Sequence, residues 1–163
     1  MPMHDPDQDE PRPYASPPCY AHELTPEPAS DAEIVKFLNE LLEGERAGAQ
    51  GLNDMAKATS DPALAALLRD VARDEGRYCV MLRGHVLRLG AAATDATGVF
   101  YQKLMAREGL AAKLSLLDRG QSAVVRAIEQ MLPRIVDATL RADLVEMRDV
   151  HVRNIARCNA VAT

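Results

Sequence analysis

Four residues interrupt the apolar pattern of this chain where core side chains are expected: Glu45, Glu75, Gln121 and His151. Glu45 follows Ile34, Leu38 and Leu41 and precedes Gly48, Leu52 and Met55 at helical spacing, so it falls inside a buried stripe rather than beside it. Glu75 does the same between Val71 and Tyr78, Gln121 between Leu117 and Val124, and His151 between Met147 and Ile155. A buried carboxylate without a partner is costly, so a cation, a hydrogen-bond network or a metal must meet it at the same level. Two carboxylates, an imidazole and an amide in one layer point to two chemistries. One is a salt-bridged polar core; the other is coordination of a metal by hard oxygen and borderline nitrogen donors. Tyr78, Asp118, Arg119 and Arg148 lie one turn away on the flanks, near enough to join the layer.

The elements that must position these residues are long helices. Ser30-Asp31-Ala32-Glu33 has the form of a capping box and starts a helix that runs to about residue 58. Thr59-Ser60-Asp61-Pro62 supplies an N-cap and a proline at the first helical position, and the second helix continues to Leu89 with Gly90 as its stop. A short turn between the two makes them antiparallel neighbours. Residues 91–98 are small and breaker-rich and 99–106 have the makings of a short helix, together a link long enough to run the length of a bundle. The third long helix is expected over about 107–132, ended by Pro133, and the fourth over about 137–160, with Leu140, Leu144, Met147, His151, Ile155 and Cys158 inward. Helices of about 25 residues are roughly 37 Å long, and their midpoints fall near the four polar interruptions. That coincidence of height makes a shared layer a more specific signal than any single residue.

Composition bounds the rest. With 163 residues, aromatic content of 4 % and no Trp, the chain suits closely packed helices and carries no strand signature. A net charge of -5 without a Lys/Arg cluster argues against nucleic acid, and no apolar run approaches the ~20 residues of a membrane span. The acidic, Pro-rich start is unlike a signal peptide, so a cytoplasmic location is expected. Cys19, Cys79 and Cys158 lack metal-ligand spacing and read as reduced thiols. Residues 1–29 hold eight of the ten prolines and read as an irregular tail, with Tyr14, Tyr20 and Leu24 as candidate docking residues; residues 30–163 read as the bundle.

LNELLEGE, DEGRYC and HVRNIARCN, with the long link between the second and third long helices, resemble the bacterioferritin and rubrerythrin type of ferritin-like di-iron carboxylate protein, and within it a bacterial family whose di-iron site is degenerate. The resemblance implies an all-α, antiparallel four-helix bundle. Such bundles take one Glu from each of two helices and a Glu-x-x-His pair from each of the other two. Glu45 then matches the ligand of the first helix, Glu75 the Glu of one pair, and His151 the His of the other. Tyr78 stands where the first His belongs and Arg148 where the second Glu belongs, while the third long helix offers Asp118 or Gln121.

These departures set the functional expectation. A guanidinium does not deprotonate, so Arg148 forking onto Glu45 or Glu75 would replace the metal's charge. The expectation is a metal-free layer with no cofactor; the alternative is one iron or zinc ion held by Glu45, Glu75, His151 and Asp118. With it goes a non-catalytic accessory protein that binds another protein, a bacterial metalloenzyme such as nitrogenase being a candidate partner. The alternatives are a di-iron or mononuclear oxidoreductase or iron-handling protein, and a structural homodimer.

Overall fold

Local signals decide where each helix begins in the structure, a computed structural model that describes residues 25–162. Tyr14, Tyr20 and Leu24, the candidate docking residues, lie outside the described residues. Helix α1 spans Asp31–Ala58, and its capping box forms: the Glu33 amide donates to Ser30 Oγ at 3.2 Å, and the Ser30 amide to the Glu33 carboxylate at 2.9 Å. Helix α2 spans Pro62–Arg88, with the Asp61 carboxylate accepting from the Ala63 and Leu64 amides at 2.9 and 3.2 Å. It stops at Gly90, whose φ of +74° suits glycine. A short α3, Phe100–Met105, precedes α4, Leu110–Met131, and α5, Ala138–Ala162. The third long helix starts later than its apolar pattern suggests because Gly109 adopts a φ of +78°, outside the helical region.

Helix α1 packs along α2, α2 along α5 and α5 along α4, each pair antiparallel, while α3 wedges between α1 and α4 where those two make little direct contact. The link before α3 is strapped to α1 by three side chains on one helical face. Asn39 bonds the backbone of Ala92 and Thr94, Glu43 accepts from the Thr94 hydroxyl at 2.7 Å, and Arg46 donates to the Thr94 and Ala96 carbonyls. This tether carries the chain from one end of the bundle toward the other, so α4 can start beside the far end of α1.

The core is two apolar clusters in series. One contains Leu38, Leu42, Leu82, Ile128 and Leu144, the other Leu52, Leu68, Leu104, Leu117 and Cys158. On α5 the inward stripe is Leu140, Leu144, Met147, His151, Asn154 and Cys158. Asn154 rather than Ile155 is buried, because its amide donates to Asp74 of α2 at 3.0 Å. Among the described residues, no helix is long and apolar enough to cross a membrane.

Candidate metal centre

Between the two apolar clusters lies a polar waist to which α1 contributes Glu45, α2 Glu75, α4 Gln121 and α5 His151, all with at most 4 % of their surface exposed. Each helix reaches this level with its apolar face inward, so the side chain that replaces a leucine there is forced into the interior. His151 Nε2 lies 3.1 Å from Glu45 Oε1 and 3.8 Å from Glu75 Oε1. Gln121 donates its amide to Glu75 Oε1 at 2.8 Å. The other imidazole nitrogen, Nδ1, donates to the Met147 carbonyl at 2.9 Å, which holds the ring with Nε2 aimed at the carboxylates.

Burial and the neighbouring Glu45 carboxylate push Glu75 well above the usual carboxylate range, against the opposing pull of His151 and Gln121. Burial draws the His151 imidazole down, but Glu45 and Glu75 together outweigh it and push its pKa up to about 9. The layer therefore takes up positive charge to offset its two carboxylates, and protons or a cation can supply it. Two buried oxygens, Glu45 Oε2 and Gln121 Oε1, find no hydrogen-bond donor among the described residues.

The donors fit one divalent ion. Ligand atoms of Glu45, Glu75 and His151 all lie within 4.8 Å of one another, as expected of atoms that each approach a common metal to about 2.0–2.2 Å. Two carboxylates balance a charge of +2. A second ion would need further carboxylates and an imidazole, and among the described residues the cluster holds only these three His, Cys, Asp or Glu donors.

Tyr78 borders the layer without joining it. Its ring is tilted against His151, with centroids 5.8 Å apart, but its hydroxyl accepts from Arg77 at 3.0 Å, and burial pushes its pKa up to about 12. The expectation for Arg148 is corrected by the structure: its guanidinium pairs with Asp149 at 2.8 Å, near the surface, and reaches neither Glu45 nor Glu75. A flank position lets the cation stay solvated beside its neighbour, which avoids the cost of burying it. Asp118 is likewise outside the cluster, half-buried and accepting from Asn159 at 3.2 Å, because Leu117 takes the inward position; Arg119 is exposed.

Sequence reasoning missed two residues that shape the site. A Cβ on Gly48 would stand 2.4 Å from Glu75 Oε2, so only glycine there leaves room for the Glu75 carboxylate; its place in the apolar stripe three residues after Glu45 was the available signal. Phe100 lines a pocket at the waist together with Gly44, Gly120 and Val124, and nothing in its local sequence marks that role. Cys79 and Cys158 are free thiols, and burial pushes Cys79 up to about 11, which leaves it protonated and inert near neutral pH.

The model of a family described as a domain of unknown function, DUF6306, matches residues 32–160, from the first turn of α1 to the last of α5. The chain belongs to the DUF6306 family. No curated protein matches it in sequence. In structure, a ferritin-like diiron-carboxylate protein from Bacillus anthracis is similar with a TM-score of 0.74, covering 83 % of this chain and 99 % of its own at 17 % identity. That likeness shows the fold: this DUF6306 chain is an all-α ferritin-like bundle.

Proposed function

We propose that this chain is a ferritin-like iron protein with one metal ion, rather than two, held by Glu45, Glu75 and His151, with the Gln121 carbonyl oxygen as a fourth donor. The observation that carries the reading is the pair of unpartnered buried oxygens, Glu45 Oε2 and Gln121 Oε1, beside a carboxylate-imidazole cluster. A buried acceptor without a donor costs about 1–3 kcal/mol, and a cation between them removes that cost. Arg148 pairs with Asp149 instead, so its guanidinium does not supply the charge. Iron bound there supplies one-electron redox chemistry on a small oxidant or bound molecule. The chain's own residues do the positioning. Glu45 and Glu75 neutralise the ion, the Met147 carbonyl fixes the His151 tautomer, and Gln121 orients the Glu75 carboxylate. With only three or four protein donors, iron held there would have room to accept an outside ligand.

The test is metal content after anaerobic loading with ferrous iron and exhaustive desalting. About one ion per chain is expected, lost in Glu45→Ala and in Glu75→Gln while helicity is kept. Equal retention by these variants, or no retention by the parent, overturns the reading.

A second reading, a metal-free accessory module that binds another protein, has one observation in its favour. His151 with Glu45 and Gln121 with Glu75 already pair, so most of the layer can close on itself. It leaves the Gln121 carbonyl oxygen unpartnered, while a protonated Glu75 can donate to Glu45. A larger metalloenzyme such as nitrogenase is the partner proposed with that reading, and co-purification that disappears on removing residues 1–29 is its test; a structural homodimer would show directly in solution mass.

A further inference from the structure

At the waist, α1 and α4 fail to meet, and the gap is a pocket of about 240 Å³ whose floor is Glu45, Glu75, Gln121 and His151. Its walls are Gly44, Gly48, Phe100, Gly120, Ala123 and Val124, with no charged or polar side chain among them. Two of the wall glycines are required by close approach. Gly48 makes room for Glu75, and a Cβ on Gly120 would stand 2.7 Å from the Phe100 ring. Gly44 is different: a Cβ there would meet none of the described residues within 4 Å. Glycine inside a helix costs roughly 0.5–1 kcal/mol relative to alanine, and no neighbour demands it at this position. Its missing side chain helps keep the pocket open.

We propose that this pocket binds a small, uncharged, mainly apolar organic molecule, up to the size of a single aromatic ring, directly beside the carboxylate-imidazole cluster. An engineered cavity of about 150 Å³ lined by apolar side chains holds benzene, so the volume here suffices. The apolar walls select against an anion, which would shed water there with no donor or cation among them to replace it. The polar atoms of the cluster below are themselves buried, so an occupant meets an almost wholly apolar surface. Such a ligand fits an iron centre that acts on an organic substrate, rather than one that passes iron ions through this opening. The inference builds on the single-metal reading for what happens to the molecule, while binding in the pocket stands on the walls alone.

Fluorobenzene is the probe, followed by ¹⁹F NMR on the full chain loaded with zinc, with manganese(II) as a paramagnetic ion, or with no metal. A saturable shift is expected with the parent protein, weakened at least tenfold by Gly44→Leu, which fills the pocket and favours the helix. The bound resonance should broaden strongly with manganese, and 4-fluorobenzoate should bind at least tenfold more weakly than fluorobenzene. Thermal melting and metal content of the Gly44→Leu variant guard against a folding artefact, and Gly44→Ala, which adds one methyl group, should give an intermediate loss. No saturable shift with the parent, an unchanged shift in Gly44→Leu, or equal binding of the benzoate overturns the proposal. Fluorobenzene binding that Gly44→Leu abolishes in a protein retaining no metal sustains the pocket and refutes the metal reading alone.

Discussion

The two seams that flank the polar waist are built in opposite ways. Along α2 and α5, polar pairs cross at nearly every turn: Asp70 with Arg157, Asp74 with Asn154, Arg77 with Glu146, His85 with Asp143, and Arg88 with Asp137. Between α1 and α4 there is glycine, a pocket, and the wedge of α3. Exposed ion pairs contribute little each, about 0–1 kcal/mol, but a ladder of them allows only one register of α5 on α2. That register is what sets His151 opposite Glu75. The laced seam holds donors in place, and the open seam gives access to them, so positioning and entry are assigned to different pairs of helices.

The largest effect should come from breaking the laced seam at the rung built on His85. His85 Nε2 donates to Asp143 at 2.7 Å, and its Nδ1 accepts from Arg88 at 3.0 Å, with the ring almost wholly buried. His85→Ala removes both bonds to charged partners and should cost about 1.5–3 kcal/mol in urea unfolding. Metal content per folded chain should hardly change, since the rungs nearer the waist remain. If instead the variant folds with undiminished stability, the seam is ornament rather than register.

Next comes the open side. Gly48→Ala places a methyl group 2.4 Å from Glu75 Oε2, and the carboxylate must swing away. The helix gains from losing a glycine by up to about 1 kcal/mol, so stability should stay within about 1 kcal/mol of the parent. Metal affinity, by contrast, should fall about 10–100-fold, the range typical of disturbing a ligand's support and equivalent to about 1.4–2.7 kcal/mol. Loss of stability in His85→Ala and loss of metal in Gly48→Ala would separate the two seams cleanly; the same phenotype in both would merge them.

How much of this was legible beforehand follows from what each residue depends on. Helix starts were legible because Ser30 with Glu33, and Asp61 with Pro62, act within a single turn. The meeting of Glu45, Glu75, Gln121 and His151 was legible because equal helix lengths and short turns fix height. Arg148 was not, because its long side chain could reach either way and the choice was made by Asp149 next to it. Neither was the opening between α1 and α4. It depends on where α3 wedges and on Phe100 meeting Gly120, contacts between residues that no local periodicity connects.

The smallest effect should appear at the end of the open seam, where Arg134, in the turn between α4 and α5, donates to Glu33 at 2.8 Å and to the Glu27 carbonyl at 3.1 Å. The Arg134 hydrogen bond, then the Ser30 amide and hydroxyl, hold the Glu33 carboxyl down at about 2. A depressed carboxyl pKa stabilises the fold above the unfolded-state value, and the contribution drains away as pH falls from about 4.5 toward 2. Glu33→Gln should flatten the pH dependence of thermal melting in that window and leave melting near neutral pH only slightly lower, because the pair is solvent-exposed. His85→Ala, acting on the other seam, should leave the acid limb unchanged in shape. If Glu33→Gln melts with the parent's acid slope, Arg134 does not pin that end of the gap, and the α3 wedge with the strap along α1 must hold α1 and α4 at their distance without it.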